Sequence, residues 1–124
     1  MSTRSLIGIA NANDTITYIY CHYDGYVKDG VGEALLNNFT NKRAVNKLLS
    51  GGAARTIDAE GLVSYFDDEG SGTIPNEEYA LGEASSEYVY LFEPETKTWI
   101  YKNYTYNVKD GGMGVKSDWK LLVV

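Results

Sequence analysis

The chain has 124 residues, a formal net charge of −6 and 44% hydrophobic residues. That is enough length and apolar content for one domain folding around a single core without disulfides or metals. It excludes a disordered chain, and the negative balance disfavours direct binding to a nucleic-acid phosphate backbone.

The apolar runs, such as Tyr88 to Phe92 and Leu121 to Val124, have the length of strands, so no membrane span is expected. Met1-Ser2-Thr3-Arg4-Ser5 leads straight into a strand-like pattern with no apolar leader region and no small-residue cleavage site. A lone Cys21 has no partner for an internal disulfide, which fits a reducing compartment, so the expected location is the cytoplasm.

In chain order, Leu6 to Ala10 reads as a short apolar strand and Asn11 to Asp14 as a turn. Thr15 to His22 follows as a β-branched and aromatic strand, completing an N-terminal hairpin. Ile16, Tyr18 and Tyr20 alternate with Ile19 and Cys21, so both faces of this strand carry large residues, as in a strand inside a sheet. Tyr23 to Gly32 is a loop. A helix is predicted from about Val31 to Phe39. A second, capped by Thr40 or Asn41, carries Ala44, Val45, Leu48 and Leu49 on one stripe and stops at Gly51-Gly52. Leu62 to Phe66 reads as a strand and Asp67 to Gly72 as an acidic loop. Ser86 to Phe92 and Lys97 to Tyr104 form a second hairpin with Trp99 and Tyr101 on one face. Gly111, Gly112 and Gly114 predict a mobile loop, and Trp119 to Val124 a last strand. The expected fold is α+β: an antiparallel sheet of two hairpins and a C-terminal strand, with two short helices on one face.

The densest polar cluster is Cys21 to Tyr26, at the end of the second strand, where a rigid sheet can hold a functional loop. Cys21 and His22, as strand neighbours, point to opposite faces and cannot form a nucleophile–base pair. His22 and Asp24 could share a face, an arrangement in which a carboxylate can orient an imidazole. In an antiparallel hairpin the start of the first strand lies beside the end of the second, which brings Arg4 to His22 and Tyr23. Arg4, His22, Tyr23, Asp24 and Tyr26 are therefore the candidate ligand-binding residues. An arginine converging with tyrosines suits a small anionic, ring-bearing ligand. The richness in tyrosine, 11 residues, fits the same use, although strand packing accounts for most of them.

Asp67 to Glu78 matches a twelve-residue calcium loop at Asp67, Glu69, Ser71, Gly72, Ile74 and Glu78. Its flanks are a strand-prone segment and a stretch interrupted by Pro75 and Gly82, so neither helix of an EF-hand is in place and tight calcium binding is not expected. With one histidine and one cysteine there is no metal-spaced cluster, and no phosphate loop supplies a nucleotide cofactor site. No cofactor, metal or catalytic residue is expected.

Three blocks together resemble a family of small proteins carried by bacteriophages and prophages. They are Ser2-Thr3-Arg4-Ser5 followed by Ile7-Gly8, then Ile19-Tyr20-Cys21-His22-Tyr23-Asp24-Gly25-Tyr26, and then Glu87 to Phe92 before Trp99. Tyr23 stands where the family would place a tryptophan, and Val27 where a proline is common. The resemblance implies a host-directed, counter-defence role: sequestering a nucleotide-like signalling ligand without turning it over. The alternatives are an acidic protein–protein inhibitor of a host defence protein, resembling a DNA mimic or an anti-CRISPR protein, and a small nucleotide hydrolase. The partner is accordingly a small anionic ligand or a host protein, with a second copy of the chain as a further possibility.

Overall fold

The computed structural model describes residues 3–12, 15–65, 72–74, 87–107, 112–115 and 119–123. Among them the strands are β1 (Ser5–Ala10), β2 (Ile16–Cys21), β3 (Ala54–Ile57), β4 (Val63–Tyr65), β5 (Gly72–Ile74), β6 (Tyr88–Glu93), β7 (Thr98–Asn107), β8 (Gly112–Val115) and β9 (Lys120–Leu121). The helices are α1 (Val31–Asn38) and α2 (Lys42–Leu49). The fold is α+β, with a sheet ordered β4-β3-β2-β1-β6-β7-β8; β5 also pairs with β2, and β9 with β7.

Both expected hairpins form. β1 and β2 pair antiparallel from Ser5 opposite Cys21 to Ala10 opposite Ile16. β6 and β7 pair antiparallel from Tyr88 opposite Asn103 to Glu93 opposite Thr98. The sheet is nevertheless mixed, which corrects the antiparallel expectation. β1 runs parallel to β6 along Ser5 to Ile9, and β2 meets β3 in parallel at Cys21 and Ala54. The physical reason lies in the connections. Parallel neighbours need a crossover connection, which the two helices between β2 and β3 supply, whereas a tight hairpin turn joins only antiparallel strands.

Three further expectations are corrected. Gly112 to Val115 is a strand, because its backbone completes the ladder with Tyr104 to Asn107 on β7; Gly111 lies outside the described residues. Gly72 belongs to β5, paired with Tyr18, rather than to a loop. The last strand is only Lys120–Leu121, opposite Ile100 and Tyr101, and its short ladder leaves Leu121 and Val123 exposed.

Both helices lie on one face, where Ile7, Ile9, Ile19, Cys21, Tyr90, Phe92 and Trp99 of the sheet meet Val31, Ala34, Leu35, Val45, Leu48 and Leu49. Burying each large aliphatic side chain there contributes about 1.5–3 kcal/mol. The opposite face holds a smaller cluster of Leu6 and Val89, with Ile16, Tyr18, Tyr20 and Trp119 partly buried against it.

The helix ends are satisfied in different ways. Asn41 caps α2, its Oδ1 accepting from Ala44 N at 2.9 Å. A carbonyl at the C-terminal end of each helix accepts from an aromatic donor on the sheet. Trp99 Nε1 donates to Phe39 O at 2.8 Å and Tyr65 Oη to Leu48 O at 2.7 Å. The start of α1 has no side-chain cap at Gly30, and its first amide groups are taken up by the loop that carries the candidate site.

Candidate functional site

The end of the sheet formed by the start of β1, the end of β2 and the start of β6 carries the candidate residues. Continuing the β1–β2 register one step beyond Ser5 and Cys21 sets Arg4 opposite His22. Alternation then puts Arg4 and His22 on the face of Leu6 and Tyr20, away from the helices. Arg4 is braced through its backbone. Its N–H donates to Glu87 Oε2 at 3.0 Å, and its carbonyl accepts from the N–H groups of Glu87 and Tyr88 at 3.1 and 3.3 Å.

His22 sits in an aromatic pair of contacts. Its Nδ1 lies 2.6 Å from the Tyr20 hydroxyl, so a phenol is held at that nitrogen. The Tyr23 ring stands edge-on to the imidazole, with centroids 4.5 Å apart. Partial burial raises the Tyr20 phenol above its ordinary value, while the positive charge of Arg4 pulls the other way.

The loop then crosses the end of the sheet. Asp24 adopts a left-handed backbone (φ 57°), and its carbonyl accepts from Val31 N at 2.7 Å; the Tyr26 carbonyl accepts from Gly32 N at 3.0 Å. These two bonds replace the missing cap of α1. They demand a residue without a side chain at position 30, where a Cβ would stand 2.5 Å from Asp24 O and 2.7 Å from Tyr26 O. Between the two carbonyls, Gly25 N donates to Thr3 O at 2.9 Å, and Gly25 O accepts from the buried Tyr90 hydroxyl at 2.6 Å.

The structure thus brings Arg4, His22 and Tyr23 together with Tyr20 and Glu87. Tyr26 lies across the sheet end, close enough to Tyr88 for its phenol to add to the rise that burial causes in Tyr88 ionisation. Asp24 is exposed, and its structural contribution is through the backbone. Tyr23 and Tyr26 are 45% and 46% exposed, large values for rings on a rigid loop. Tyr20 was not among the expected site residues; its place two positions before His22 was the signal for it, since residues two apart on a strand share a face. Glu87, just before β6, and Tyr90, within it, are distant in sequence and gave no local signal.

Cys21 is wholly buried, and burial pushes its thiol up to about 11 from an ordinary 9.0. It is therefore a neutral core residue and no nucleophile. No group of three or more metal-ligating side chains occurs among the described residues. The calcium-like stretch Asp67 to Glu78 lies outside them except for Gly72 to Ile74. No helix among them is long and apolar enough to cross a membrane.

The opposite end of β1 and β6 has a different character. An open groove of about 480 Å³ there is lined by Ala10, Asn11, Ala12, Lys42, Glu93, Pro94 and Glu95. None of the five predicted site residues borders it. No protein-family model, curated protein or solved structure matches the chain.

Proposed function

We propose that this chain is a non-enzymatic binding protein whose contact surface is the Arg4, His22, Tyr23, Asp24 and Tyr26 end of the sheet. Its ligand is a small nucleotide-like anion. One observation carries the reading: the exposed Tyr23 ring, set against His22 on the strand beside exposed Arg4. An aromatic face stacks on a base and a guanidinium pairs with phosphate, so the two together suit one ligand with both parts. His22 held by a phenol and a deeply buried thiol supply no activated nucleophile, which favours binding over turnover. The resemblance to small phage proteins suggests the setting, sequestration of a host signalling nucleotide in the cytoplasm.

A second reading has its own support. Tyr and Arg dominate the energetics of protein interfaces, and rings nearly half exposed on an open sheet end are as suited to a flat protein partner as to a small molecule. In that case the chain is an inhibitor of a host defence protein.

Calorimetry with adenosine monophosphate, a simple ring-bearing anion, tests the first reading. Saturable binding that falls at least tenfold in both Arg4→Ala and Tyr23→Ala is expected, given about 1–3 kcal/mol per base–aromatic stack. Absence of binding to this nucleotide and to cyclic dinucleotides overturns it. Capture of a host protein whose affinity drops steeply with salt supports the second reading.

A further inference from the structure

We infer that the Tyr90 hydroxyl is the positioning group that holds the Tyr23–Tyr26 loop in one preformed shape, so that this buried side chain sets ligand affinity without touching the ligand. The inference deepens the binding reading above and rests on it for its ligand arm.

Tyr90 is wholly buried in the middle of β6, between the stacked Tyr88 ring and Tyr101, both 6.1 Å away by centroid. Its packing alone would be served by phenylalanine. The hydroxyl is the addition, and it spends its proton on Gly25 O at 2.6 Å, a buried bond across 65 residues of sequence. Gly25 is the midpoint of the recognition loop, with Tyr23 and Asp24 before it and Tyr26 after it.

Other ties of that loop are Tyr23 N to Arg55 O, Gly25 N to Thr3 O, Val31 N to Asp24 O and Gly32 N to Tyr26 O, with the Cys21 thiol 3.8 Å from Tyr23 O. They fasten the loop to β2, to β3, to the start of β1 and to the start of α1. Tyr90 fastens it to β6, and among the described residues it is the side chain that does so. Gly32 is packed for this arrangement, since a Cβ there would come within 3.1 Å of the same hydroxyl. Without the hydroxyl, Gly25 O becomes a buried acceptor with no donor, and the loop relieves that by moving toward water. Ligand affinity then falls by the fraction of time the loop spends in its binding shape.

The test is Tyr90→Phe, which keeps the ring. Hydrogen exchange should quicken about tenfold at the amides of Gly25, Val31 and Gly32, as loss of one buried hydrogen bond implies. Exchange at Val45 in α2 and at Ile7 in β1 should stay as in the parent chain. Uniform quickening everywhere would show that Tyr90 serves global stability alone, and no quickening would show that the hydroxyl holds nothing; either overturns the inference.

The second arm uses stopped-flow binding of adenosine monophosphate. Tyr90→Phe should lower the association rate about twofold with dissociation little changed, because a tenfold shift toward the open loop takes a largely closed loop to about half closed and it is met less often. Tyr23→Ala, which removes a contact, should act mainly on dissociation. Equal loss in both rates for Tyr90→Phe contradicts the positioning role. A parent chain that binds no nucleotide refutes the functional reading, while the exchange pattern still decides whether Tyr90 fixes the loop.

Discussion

The two ends of the β1–β6 strand pair differ in what they offer a partner. At the Arg4 end the chemistry is dense and the surface open: a guanidinium just before β1 and an imidazole just after β2 stand beside two exposed tyrosines on a loop whose backbone groups are taken up by Thr3, Tyr90 and α1. At the other end there is a groove of about 480 Å³, but its lining mixes Lys42 with Glu93 and Glu95, and Asn11 is already committed to Thr15 and Thr17. Concavity and recognition chemistry sit at opposite ends of the same strands. Recognition groups mounted on a fixed loop need no cleft if the partner is itself large or stacks face-on. A groove whose one lysine faces two glutamates, and whose asparagine is already bonded, has less to give an anion.

The sharpest way to break this comparison is at Gly30. Gly30→Ala forces a methyl group into the space of the Asp24 and Tyr26 carbonyls and should cost about 3 kcal/mol in urea unfolding. The matching change at the groove end, Pro94→Ala, should stay within about 0.5 kcal/mol. Similar values for both would mean that the loop is not held as described.

Alkaline pH probes the Arg4 end through Cys21, which closes β2 there. The unfolded thiol loses its proton near the ordinary 9.0, while the folded one keeps it up to about 11. Between those values unfolding releases a proton, so stability falls as pH rises; below 9 the thiol is neutral in both states and has no effect. The loss attributable to this group is about 2–3 kcal/mol across that window. Cys21→Ala should flatten the pH dependence by that amount, whatever its effect at neutral pH. The buried Tyr90 phenol adds a loss of the same sign at higher pH.

A smaller effect belongs to the groove end. Asn41→Ala removes the cap of α2 and should lower stability by about 1 kcal/mol. The drop in melting temperature should leave exchange at Gly25 and Val31 unaffected.

The same contrast explains what could be read from the sequence. Both hairpins, both helices and a cap at Thr40 or Asn41 were legible, because alternation, helical spacing and capping are local patterns. The antiparallel register of β1 and β2 was legible too, and with it the meeting of Arg4 and His22. The parallel pairing of β1 with β6 was not. It joins segments about 80 residues apart with no turn between them to announce direction, and β3 is too short for its alternation to stand out. Gly112 to Val115 carries the composition of a loop, and its strand exists only because β7 offers a free edge. At the site, side chains with evident chemistry were found, whereas the groups that fix them, Glu87 just before β6 and Tyr90 within it, reach them only in the folded state.

The account turns on which end of the sheet meets the ligand. Titration of the isotope-labelled chain with adenosine monophosphate, followed by two-dimensional amide NMR, decides between them. The structure-based expectation is saturable shifts at Arg4, His22, Tyr23 and Tyr26, with Asn11, Lys42 and Glu93 unmoved. Shifts centred on Asn11, Lys42 and Glu93, or no saturable shift at either end, would contradict it.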